Sequence, residues 1–249
     1  VTSVHNKYES KSFLKDWYNS FLLKGDARIV NSNLVKKTYE NNFNVKSKLH
    51  VIPRGVDTNY FSPSKKKLIG KNIFIPSRIS GWKGHEILLN HFSLLSQKYQ
   101  DLFNIHLISL NESKEEKKIK LLINKLKLSK KVIIHKPTLE INKLYQEAYL
   151  VVNTSKRPEG FGRTISEALS SAKVVIAPNQ GGTKEQLSKF DRKLLFNVNS
   201  FNSFEKAFKY ALKNYQSISR RGRNYVKMNY SSAVMCKKTF DVYNELVNQ

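Results

Sequence analysis

Two glutamates enclose a glycine-rich segment in the second half of the chain. Glu159 and Glu167 stand eight positions apart, and Gly160 and Gly162 follow the first of them. Carboxylates accept paired hydrogen bonds from neighbouring hydroxyls, as on a sugar or a ribose, and glycines let the backbone approach a ligand closely. The pattern therefore indicates binding of a sugar-like ligand. The structural alternative is that Glu167 only stabilises the positive end of a helix dipole.

Two further polar segments could complete such a site. Arg78 and Lys83 flank a short loop, where a planar guanidinium and a compact ammonium would suit a phosphate group. Gly181 and Gly182 stand in a third segment of the same kind. Each segment also has a plain explanation, as a solvated basic loop or an ordinary turn. Together with the glutamates they indicate a ligand in which a sugar is joined to a pyrophosphate.

The pattern of apolar residues predicts how these segments are positioned. From residue 72 onward, short apolar runs alternate with stretches of helical spacing. Such repeats predict a doubly wound parallel sheet with the three polar segments at the carboxyl ends of strands, where ligands bind in this fold. The predicted strands are 72–76, 105–110, 132–135, 149–154, 174–177 and 193–196. The predicted helices are 84–99, 114–128, 139–148, 163–171, 183–188 and 201–215, followed by two more.

The chain before residue 52 contains fewer such units. Strands are predicted over 2–5, 27–31 and 49–52, and helices over 10–24 and 34–43. Two β-α units are too few for an independent doubly wound domain. We therefore expect this part to be the end of a domain whose beginning is missing, since the chain also starts at Val1 rather than at a methionine.

The composition limits the class of protein. The 249 residues are 40% hydrophobic and 25% charged, which is typical of a globular protein. The single cysteine, Cys236, excludes a disulfide framework and a cysteine-based zinc site, and it suits a reducing compartment. The uninterrupted apolar runs are far too short to span a bilayer.

The formal net charge of +25 is the most pronounced feature of the composition. Such a charge attracts polyanions, including nucleic acid, anionic lipid and phosphorylated substrates, although a lysine- and asparagine-rich chain can also simply reflect AT-rich codons. The basic residues are spread along the chain and accompany no nucleic-acid-binding signature. The basic stretch 114–131 could touch anionic lipid, or it could pack on the sheet as an amphipathic helix.

Several motifs, in the same order along the chain, resemble those of one family: the retaining GT-B glycosyltransferases of family four, also described as glycosyl transferases group 1. Residues 157–169 (RPEGFGRTISEAL) resemble the Glu-x7-Glu signature of that family. Residues 77–84 (SRISGWKG) resemble its Gly-Arg…Lys-Gly element, with Ser77 where glycine is usual. Residues 51–57 (VIPRGVD), together with Tyr60 and Phe61, resemble the interdomain segment of the family. Gly181 and Gly182 with Glu185 resemble its Gly-Gly-x-x-Glu turn. Val4-His5-Asn6 is similar to the histidine-bearing strand end of its acceptor domain. The sequence departs from the family at residues 109–112 (SLNE), where a glycine-rich turn is usual, and around Ala172 and Lys173.

The resemblance implies an α/β fold of GT-B type, with a doubly wound C-terminal donor domain and the remnant of a second Rossmann-like domain. Residues 1–51 would be the remnant of the acceptor-binding domain, and residues 52–228 the domain that binds the nucleotide sugar. Residues 229–249 would form a C-terminal helix that packs back on the N-terminal part. Most of the acceptor domain would then be absent, and the chain as given could be inactive alone.

The resemblance also implies a role for each motif residue. Arg78 and Lys83 would bind the donor diphosphate and stabilise the charge that develops on it as the glycosidic bond breaks. Glu159 would hydrogen-bond the donor sugar, Glu167 would accept the ribose hydroxyls, and His5 would lie near the sugar from the acceptor side. The implied catalytic residues are Glu159, Arg78, Lys83 and His5. The implied donor-binding residues are Ser77, Arg78, Lys83, Gly160, Phe161, Gly162, Arg163, Thr164, Glu167, Gly181 and Gly182.

The expected function is that of a retaining hexosyltransferase in cell-envelope polysaccharide synthesis, which moves a sugar from a nucleoside-diphosphate sugar to a glycan or lipid-linked acceptor. No metal and no cofactor are expected, because the two cations would replace a metal. The expected location is cytoplasmic, with peripheral contact at the anionic inner face of the plasma membrane as a further option, and nucleic acid is not an expected partner. Two alternatives stay open: a noncatalytic module that binds nucleotide sugars, and a basic nucleic-acid-binding protein whose affinity would fall steeply with salt.

Overall fold

Two parallel sheets form the scaffold of the protein. The computed structural model describes residues 1–5, 12–21, 24–43, 48–65, 70–110 and 113–248. Asn6, Asn111 and Glu112, and parts of the predicted helix 10–24, lie outside the described residues.

The smaller sheet has three strands in the order β1-β2-β3. Its elements are β1 (Thr2–Val4), α1 (Phe13–Phe21), β2 (Arg28–Val30), α2 (Asn33–Asn42) and β3 (Leu49–Val51). Helix α2 begins after Ser32, whose hydroxyl oxygen accepts a hydrogen bond from the Val35 amide. Val35 and Tyr39 of this helix are buried against Val30 and Leu49 of the sheet, so the sheet has a small apolar core of its own.

The larger sheet has six strands in the order β6-β5-β4-β7-β8-β9. Strands β4 and β7 pair in parallel although two strands separate them in sequence, so the order of the strands reverses between them. Doubly wound sheets bind ligands at such a reversal. The strands are β4 (Lys71–Arg78), β5 (Phe103–Ile108), β6 (Val132–His135), β7 (Leu150–Val152), β8 (Val174–Pro178) and β9 (Leu195–Phe196).

Helices connect these strands and follow the last of them. Strands β7 and β8 are buried along their whole lengths, as is typical of parallel strands covered on both faces. The helices are α3 (His85–Ser93), α4 (Gln97–Leu102), α5 (Lys114–Lys125), α6 (Ile141–Glu147), α7 (Arg163–Ser170), α8 (Gly181–Phe190), α9 (Phe201–Lys213), α10 (Tyr215–Asn229) and α11 (Ser232–Val247).

The described elements follow the predicted order with two differences. The single predicted helix 84–99 is instead α3 and α4, because the amides of Leu94 and Leu95 bond to carbonyls three residues earlier and so end the first helix. The predicted strand 193–196 begins as a 3-10 turn over Arg192–Leu194, and the Asp191 carboxylate accepts a hydrogen bond from the Lys193 amide within it.

Helix α11 returns to the smaller sheet. Its Val242 side chain belongs to a buried cluster with Ala27, Ile29 and Ile52. The chain therefore contributes its first and its last elements to the same part of the molecule. The predicted division of the chain at residues 51 and 228 stays a prediction.

The chain passes between the two sheets at two neighbouring points. Val56 and Ser231 form an isolated parallel bridge. The Val56 amide donates to the Tyr230 carbonyl at 2.8 Å, and the Ser232 amide donates to the Val56 carbonyl at 3.0 Å. Both connections between the sheets are thus held side by side by main-chain hydrogen bonds.

The basic stretch 114–131 contains helix α5. Ile119 and Ile123 of this helix are buried in the core of the larger sheet, so its apolar face is occupied within the protein. Across the described ranges of the chain, no helix combines the length and the apolar composition needed to cross a bilayer.

Candidate active site

A cleft of about 440 Å³ lies between the two sheets. Its walls come from the ends of β1 and β2, from the segment after β3, and from the loops that follow β4 and β7. The cleft therefore lies at the reversal of strand order in the larger sheet. The lining residues are His5, Asn31, Arg54, Trp82, Lys83, Arg157, Pro158, Glu159, Gly160, Phe161, Gly162, Arg163 and Thr164.

The predicted site residues divide into two groups around this cleft. Those that line it are His5, Lys83, Glu159, Gly160, Phe161, Gly162, Arg163 and Thr164. Those that do not are Ser77, Arg78, Glu167, Gly181 and Gly182.

Lys83 and Glu159 form an ion pair in the cleft. The Lys83 Nζ lies 2.8 Å from Oε1 of Glu159, and the two side chains are only 16% and 11% exposed. The same ammonium lies 4.0 Å from the centroid of the Trp82 ring. Oε1 of Glu159 also accepts a hydrogen bond from the Ser155 hydroxyl and, at 3.2 Å, one from the Asn153 amide.

These contacts keep Glu159 ionised. Burial disfavours the charged carboxylate, but the Lys83 charge and the hydrogen bonds from Lys83, Ser155 and Asn153 outweigh it and hold the pKa of Glu159 below its ordinary value. At neutral pH the side chain therefore only accepts hydrogen bonds. It can bind sugar hydroxyls, and it offers no acidic proton.

Two close backbone approaches fix the loop that carries Glu159. The Gly182 amide donates to the Glu159 carbonyl at 2.8 Å, and a Cβ on Gly182 would lie 2.4 Å from the Phe161 carbonyl oxygen. A Cβ on Gly160 would lie 2.7 Å from the carbonyl oxygen of His5. Glycine is therefore required at both positions by contact with other backbone atoms. Gly182 shapes the cleft through the Glu159 loop although it does not line it.

Glu167 lies beside the cleft and is buried. Its Oε2 accepts a hydrogen bond from the Tyr145 hydroxyl at 2.7 Å, and its Oε1 lies 2.9 Å from a terminal nitrogen of Arg163. Burial, followed by the charge of Glu167, raises the pKa of Tyr145 well above its ordinary value, so Tyr145 stays a hydrogen-bond donor. Glu167 is thus connected to the cleft through Arg163, which lines it.

Arg78 is the last residue of β4 and its side chain is exposed. Within the described part of the chain, its guanidinium has no hydrogen-bond or ion-pair partner. The preceding carbonyl, of Ser77, pairs with Nε2 of His85 at 3.1 Å. Burial lowers the pKa of His85 to about 4, so its ring is neutral and the charge at this strand end comes from Arg78.

His5 approaches the cleft from the smaller sheet. Its backbone carbonyl accepts a hydrogen bond from Asn31 Nδ2 at 2.7 Å, and the residue lines the cleft. Burial and, after it, the charge of Arg54 lower the pKa of His5, so the imidazole is neutral at neutral pH. A neutral ring can donate one hydrogen bond and accept another.

Glu185 joins the two sides of the cleft. Its carboxylate accepts hydrogen bonds from the Asn33 amide at 2.9 Å and from the Leu34 amide at 2.7 Å. These amides lie in the first turn of α2, where free N–H groups and the helix dipole favour an anion. Helix α8 of the larger sheet is thereby bound to helix α2 of the smaller one.

Several residues of the site had not been predicted. Asn153 and Ser155 stand at the end of the predicted strand 149–154, and that position is a sequence signal by which they could be identified. Arg54 lies inside a motif that was recognised, but nothing in that motif indicated a side chain in the cleft. Tyr145 comes from α6, and no local pattern could have paired it with Glu167.

The described residues contain no group of three or more histidine, cysteine, aspartate or glutamate side chains that could hold a metal ion. The expectation that no metal takes part stays a prediction.

Comparison with known families covers most of the chain. The sequence model described as "Glycosyl transferases group 1" matches residues 57–228, and the one described as "Glycosyltransferase Family 4" matches residues 1–60. The boundary between the two matches falls close to Val56, at the first crossing between the sheets.

Two curated relatives match part of the chain. The mannosylfructose-phosphate synthase of Agrobacterium fabrum is 28% identical over 166 residues, which is 59% of this chain and 36% of the relative. A probable sucrose-phosphate synthase of Thermosipho melanesiensis is 29% identical over 197 residues, 75% of this chain and 45% of the relative. The chain thus spans less than half the length of either relative.

Solved structures are similar over nearly the whole chain. A glycosyltransferase from Rickettsia africae has a TM-score of 0.84 and 28% identity, with 99% of this chain and 70% of that chain covered. Anabaena HepE, solved with UDP and glucose, has a TM-score of 0.84 at 20% identity, covering 99% of this chain and 71% of that chain. These similarities confirm the predicted GT-B fold.

Proposed function

Because the chain belongs to the glycosyl transferases group 1 family, we propose that it is a retaining glycosyltransferase of the Glu-x7-Glu type that takes its sugar from a nucleoside-diphosphate sugar. The observation that carries the proposal is the Lys83–Glu159 pair in the cleft. A cation suited to a diphosphate and an anion suited to sugar hydroxyls touch each other at one point. In a nucleotide sugar the diphosphate and the sugar are directly bonded to each other, so their binding groups in a protein must also be neighbours.

Lys83 is able to serve both partners at once. An ammonium has three N–H donors, and the pair with Glu159 uses one of them. The remaining donors can reach phosphate oxygens while Glu159 stays in place for the sugar. Arg78, exposed at the end of the neighbouring strand, would supply a second cation for the diphosphate.

The other predicted residues fit around this centre. The loop Gly160, Phe161 and Gly162 would offer backbone N–H groups to the donor, since it lines the cleft next to Glu159. Glu167 would accept the ribose hydroxyls with the lone pairs that Tyr145 and Arg163 leave unused. Ser77, Thr164, Gly181 and Gly182 would complete the donor site, and His5 would face the sugar from the opposite side.

The reaction we propose needs charge stabilisation on the leaving group. As the bond between the anomeric carbon and the diphosphate breaks, its electron pair passes to the diphosphate oxygen, and Lys83 and Arg78 stabilise that oxygen. The oxygen of the acceptor hydroxyl forms the new bond to the anomeric carbon on the same face of the sugar, and its proton passes to an oxygen of the departing diphosphate. These two cations would supply the positive charge that a metal ion supplies to the diphosphate in other enzymes. We therefore propose that no metal and no cofactor take part.

The substrates follow from the same proposal. HepE, which shares the fold, has been solved with UDP and with UDP-glucose, and we propose a donor of this kind. The acceptor would be a glycan or a lipid-linked sugar in cell-envelope polysaccharide synthesis. The reaction would take place in the cytoplasm, where the basic surface would contact the anionic inner face of the membrane.

Donor binding can be tested first. We expect UDP, GDP or ADP to raise the thermal unfolding temperature of the protein without divalent metal, because binding to the native state alone adds about 2.7 kcal/mol at a hundredfold excess over Kd. The proposal would be wrong if none of the three nucleotides produced a shift, or if EDTA abolished it.

Turnover can then be measured as release of nucleoside diphosphate from the matching nucleotide sugar. In the full-length enzyme, Glu159→Gln should reduce turnover roughly a hundredfold or more, the usual cost of losing one group that stabilises a transition state. Glu140→Gln is the control, because Glu140 is exposed and forms an ion pair with Lys143. Equal turnover in the two variants would show that Glu159 does not belong to the active site.

A further inference from the structure

A second cavity, of about 500 Å³, lies between the smaller sheet and helix α11. It adjoins the cleft, because His5, Arg54 and Arg163 line both. Its volume falls within the range of pockets that bind small molecules. Lys83 and Glu159 do not line it, so it extends beyond the pair that would hold the donor.

The charge of this cavity is entirely positive. Arg54 and Arg163 are its charged lining residues, and no carboxylate from the described residues lines it. Arg163 already lies 2.9 Å from Glu167, which neutralises much of its charge. Arg54 has no hydrogen-bond or ion-pair partner among the residues the structure describes. An uncompensated guanidinium in a cleft attracts anions.

The backbone around Arg54 is held rigidly. The Ile52 amide donates to the Val30 carbonyl at 2.8 Å on one side, and the Val56 amide donates to the Tyr230 carbonyl at 2.8 Å on the other. Between them, Gly55 packs so closely against α11 that an added Cβ would lie 2.6 Å from the Cα of Ser232. The guanidinium is therefore presented from a fixed main chain, which lowers the cost of ordering it around a ligand.

The rest of the lining suits a sugar. Ser3 brings a hydroxyl group, and the Thr239 hydroxyl, which donates to the Met235 carbonyl at 2.9 Å, can still accept a hydrogen bond. Ile29 and Ile52 bring apolar surface. This combination of hydroxyl, apolar and cationic groups differs from that of the cleft, where the Glu159 carboxylate is present.

We propose that this cavity binds the acceptor, and that the acceptor is a sugar carrying an anionic group, phosphoryl or carboxylate, which Arg54 binds. The proposal rests on the function proposed above, because it places the acceptor next to the donor cleft. His5, which lines both spaces, would lie between the two substrates. Arg54 would thus determine which acceptors the enzyme accepts.

Ligand binding tests this without knowledge of the natural acceptor. Glucose 6-phosphate, glucuronate and glucose are titrated by calorimetry, each with and without a saturating nucleoside diphosphate. We expect one of the two anionic sugars to bind in the presence of the nucleotide, and glucose to bind at least tenfold more weakly. The preferred anion distinguishes a phosphoryl from a carboxylate acceptor.

Two arginine variants locate the anion. Arg54→Gln should weaken binding of the anionic sugar by about tenfold to a hundredfold, the usual effect of losing hydrogen bonds to a charged group. Arg220→Gln is the matched control, since Arg220 is exposed on α10 and lines neither the cleft nor the second cavity, and it should change this binding less than twofold.

Three results would overturn the proposal. These are unchanged binding in Arg54→Gln, competition between the nucleotide and the anionic sugar, and no binding of either anionic sugar at millimolar concentration. Competition would place the anion in the donor cleft. Failure of every nucleotide to bind would instead count against the proposed function. The titrations without nucleotide would still show whether Arg54 binds the anionic sugar.

Discussion

The Lys83 side chain is fixed by more contacts than a surface lysine usually has. Its ammonium touches both Glu159 and the Trp82 ring, and its carbonyl accepts a hydrogen bond from the Thr154 hydroxyl at 2.9 Å. A lysine held in this way loses little rotamer entropy when it binds an anion. It is therefore ordered before any diphosphate arrives.

Replacement of Lys83 should accordingly weaken nucleotide binding. We expect Lys83→Met to raise the Kd for the best-bound nucleoside diphosphate about tenfold to a hundredfold, because charge-assisted hydrogen bonds are lost. Isothermal titration calorimetry measures the change. Lys156→Met is the control, since Lys156 pairs with Glu86 and does not line the cleft. Similar affinities in the two variants would contradict the role of Lys83.

The sequence could place single residues at strand ends but could not pair them with distant partners. Lys83 and Glu159 were both expected in one site because each follows a predicted strand, and the structure brings them within 2.8 Å. The contact between Glu167 and Tyr145 could not be predicted, since Tyr145 lies on a different helix. A tyrosine at that position of the sequence is equally consistent with a residue of the hydrophobic core. Tertiary packing alone determines such pairs.

At the scale of elements, helix α8 holds the Glu159 loop through its first residues. The Gly182 amide donates to the Glu159 carbonyl, and the absence of a side chain lets the two backbones meet. Glu185, one turn further along, caps helix α2. One helix thus positions the loop and contacts the opposite wall of the cleft.

Substitution of Gly182 should disturb this loop. A Cβ there would lie 2.4 Å from a backbone oxygen, so Gly182→Ala should reduce the free energy of unfolding by about 1–3 kcal/mol, as overpacking commonly does. Chemical denaturation measures this effect. Gly81→Ala is the matched control, because its Cβ would lie 3.7 Å from the nearest atom, an ordinary contact. A loss in Gly81→Ala as large as that in Gly182→Ala would rule out the steric explanation.

Removal of the Glu185 charge should loosen helix α2. Glu185→Gln replaces a charged acceptor with a neutral one, and the loss of such a cap costs about 1 kcal/mol. We expect faster hydrogen exchange at the Asn33 and Leu34 amides, measured by NMR, because Glu185 accepts from both. Glu205→Gln on α9, which removes a partly exposed i,i+4 pair with Lys209, should leave those two amides unchanged. Unchanged exchange in Glu185→Gln would contradict the proposed link.

Element type and order were predictable because the periodicity of apolar residues is strong in both sheets. The division of residues 84–99 into two helices was not, since Leu88, Phe92, Leu95 and Tyr99 keep helical spacing across the break. The break is produced by local hydrogen bonds at Leu94 and Leu95 rather than by a proline or a glycine. The pattern of apolar residues does not indicate a helix end that is produced by such hydrogen bonds.

At the scale of the whole molecule, stability should depend on buried histidines. Burial lowers the pKa of His85 to about 4, and burial followed by the charge of His135 lowers that of His106 to about 4, against an ordinary value of 6.5. At pH values between about 4 and 6.5, these two histidines bind more protons in the unfolded chain than in the folded protein. The free energy of unfolding should therefore fall as the pH decreases, by about 2 kcal/mol for each histidine at pH 5.

Urea denaturation at several pH values from 7 to 5 measures this slope. This range lies above the ordinary pKa of Glu159, which is itself lowered further, so that carboxylate contributes little to the change. His106→Gln should remove part of the pH dependence whatever its effect on stability at pH 7. A wild-type profile that is flat over this range would show that these histidines are not buried in the neutral form.

The paired crossings at Val56 and Ser231 have a mechanical consequence. Two adjacent segments of the chain are hydrogen-bonded to each other where they cross between the two sheets, so we expect this pair to be the pivot of any opening of the cleft. The hydrogen bonds from the first turn of α2 to the Glu185 carboxylate oppose such an opening. Spin labels across the rim of the cleft would record an opening as a change in distance, and labels beside Val56 would not.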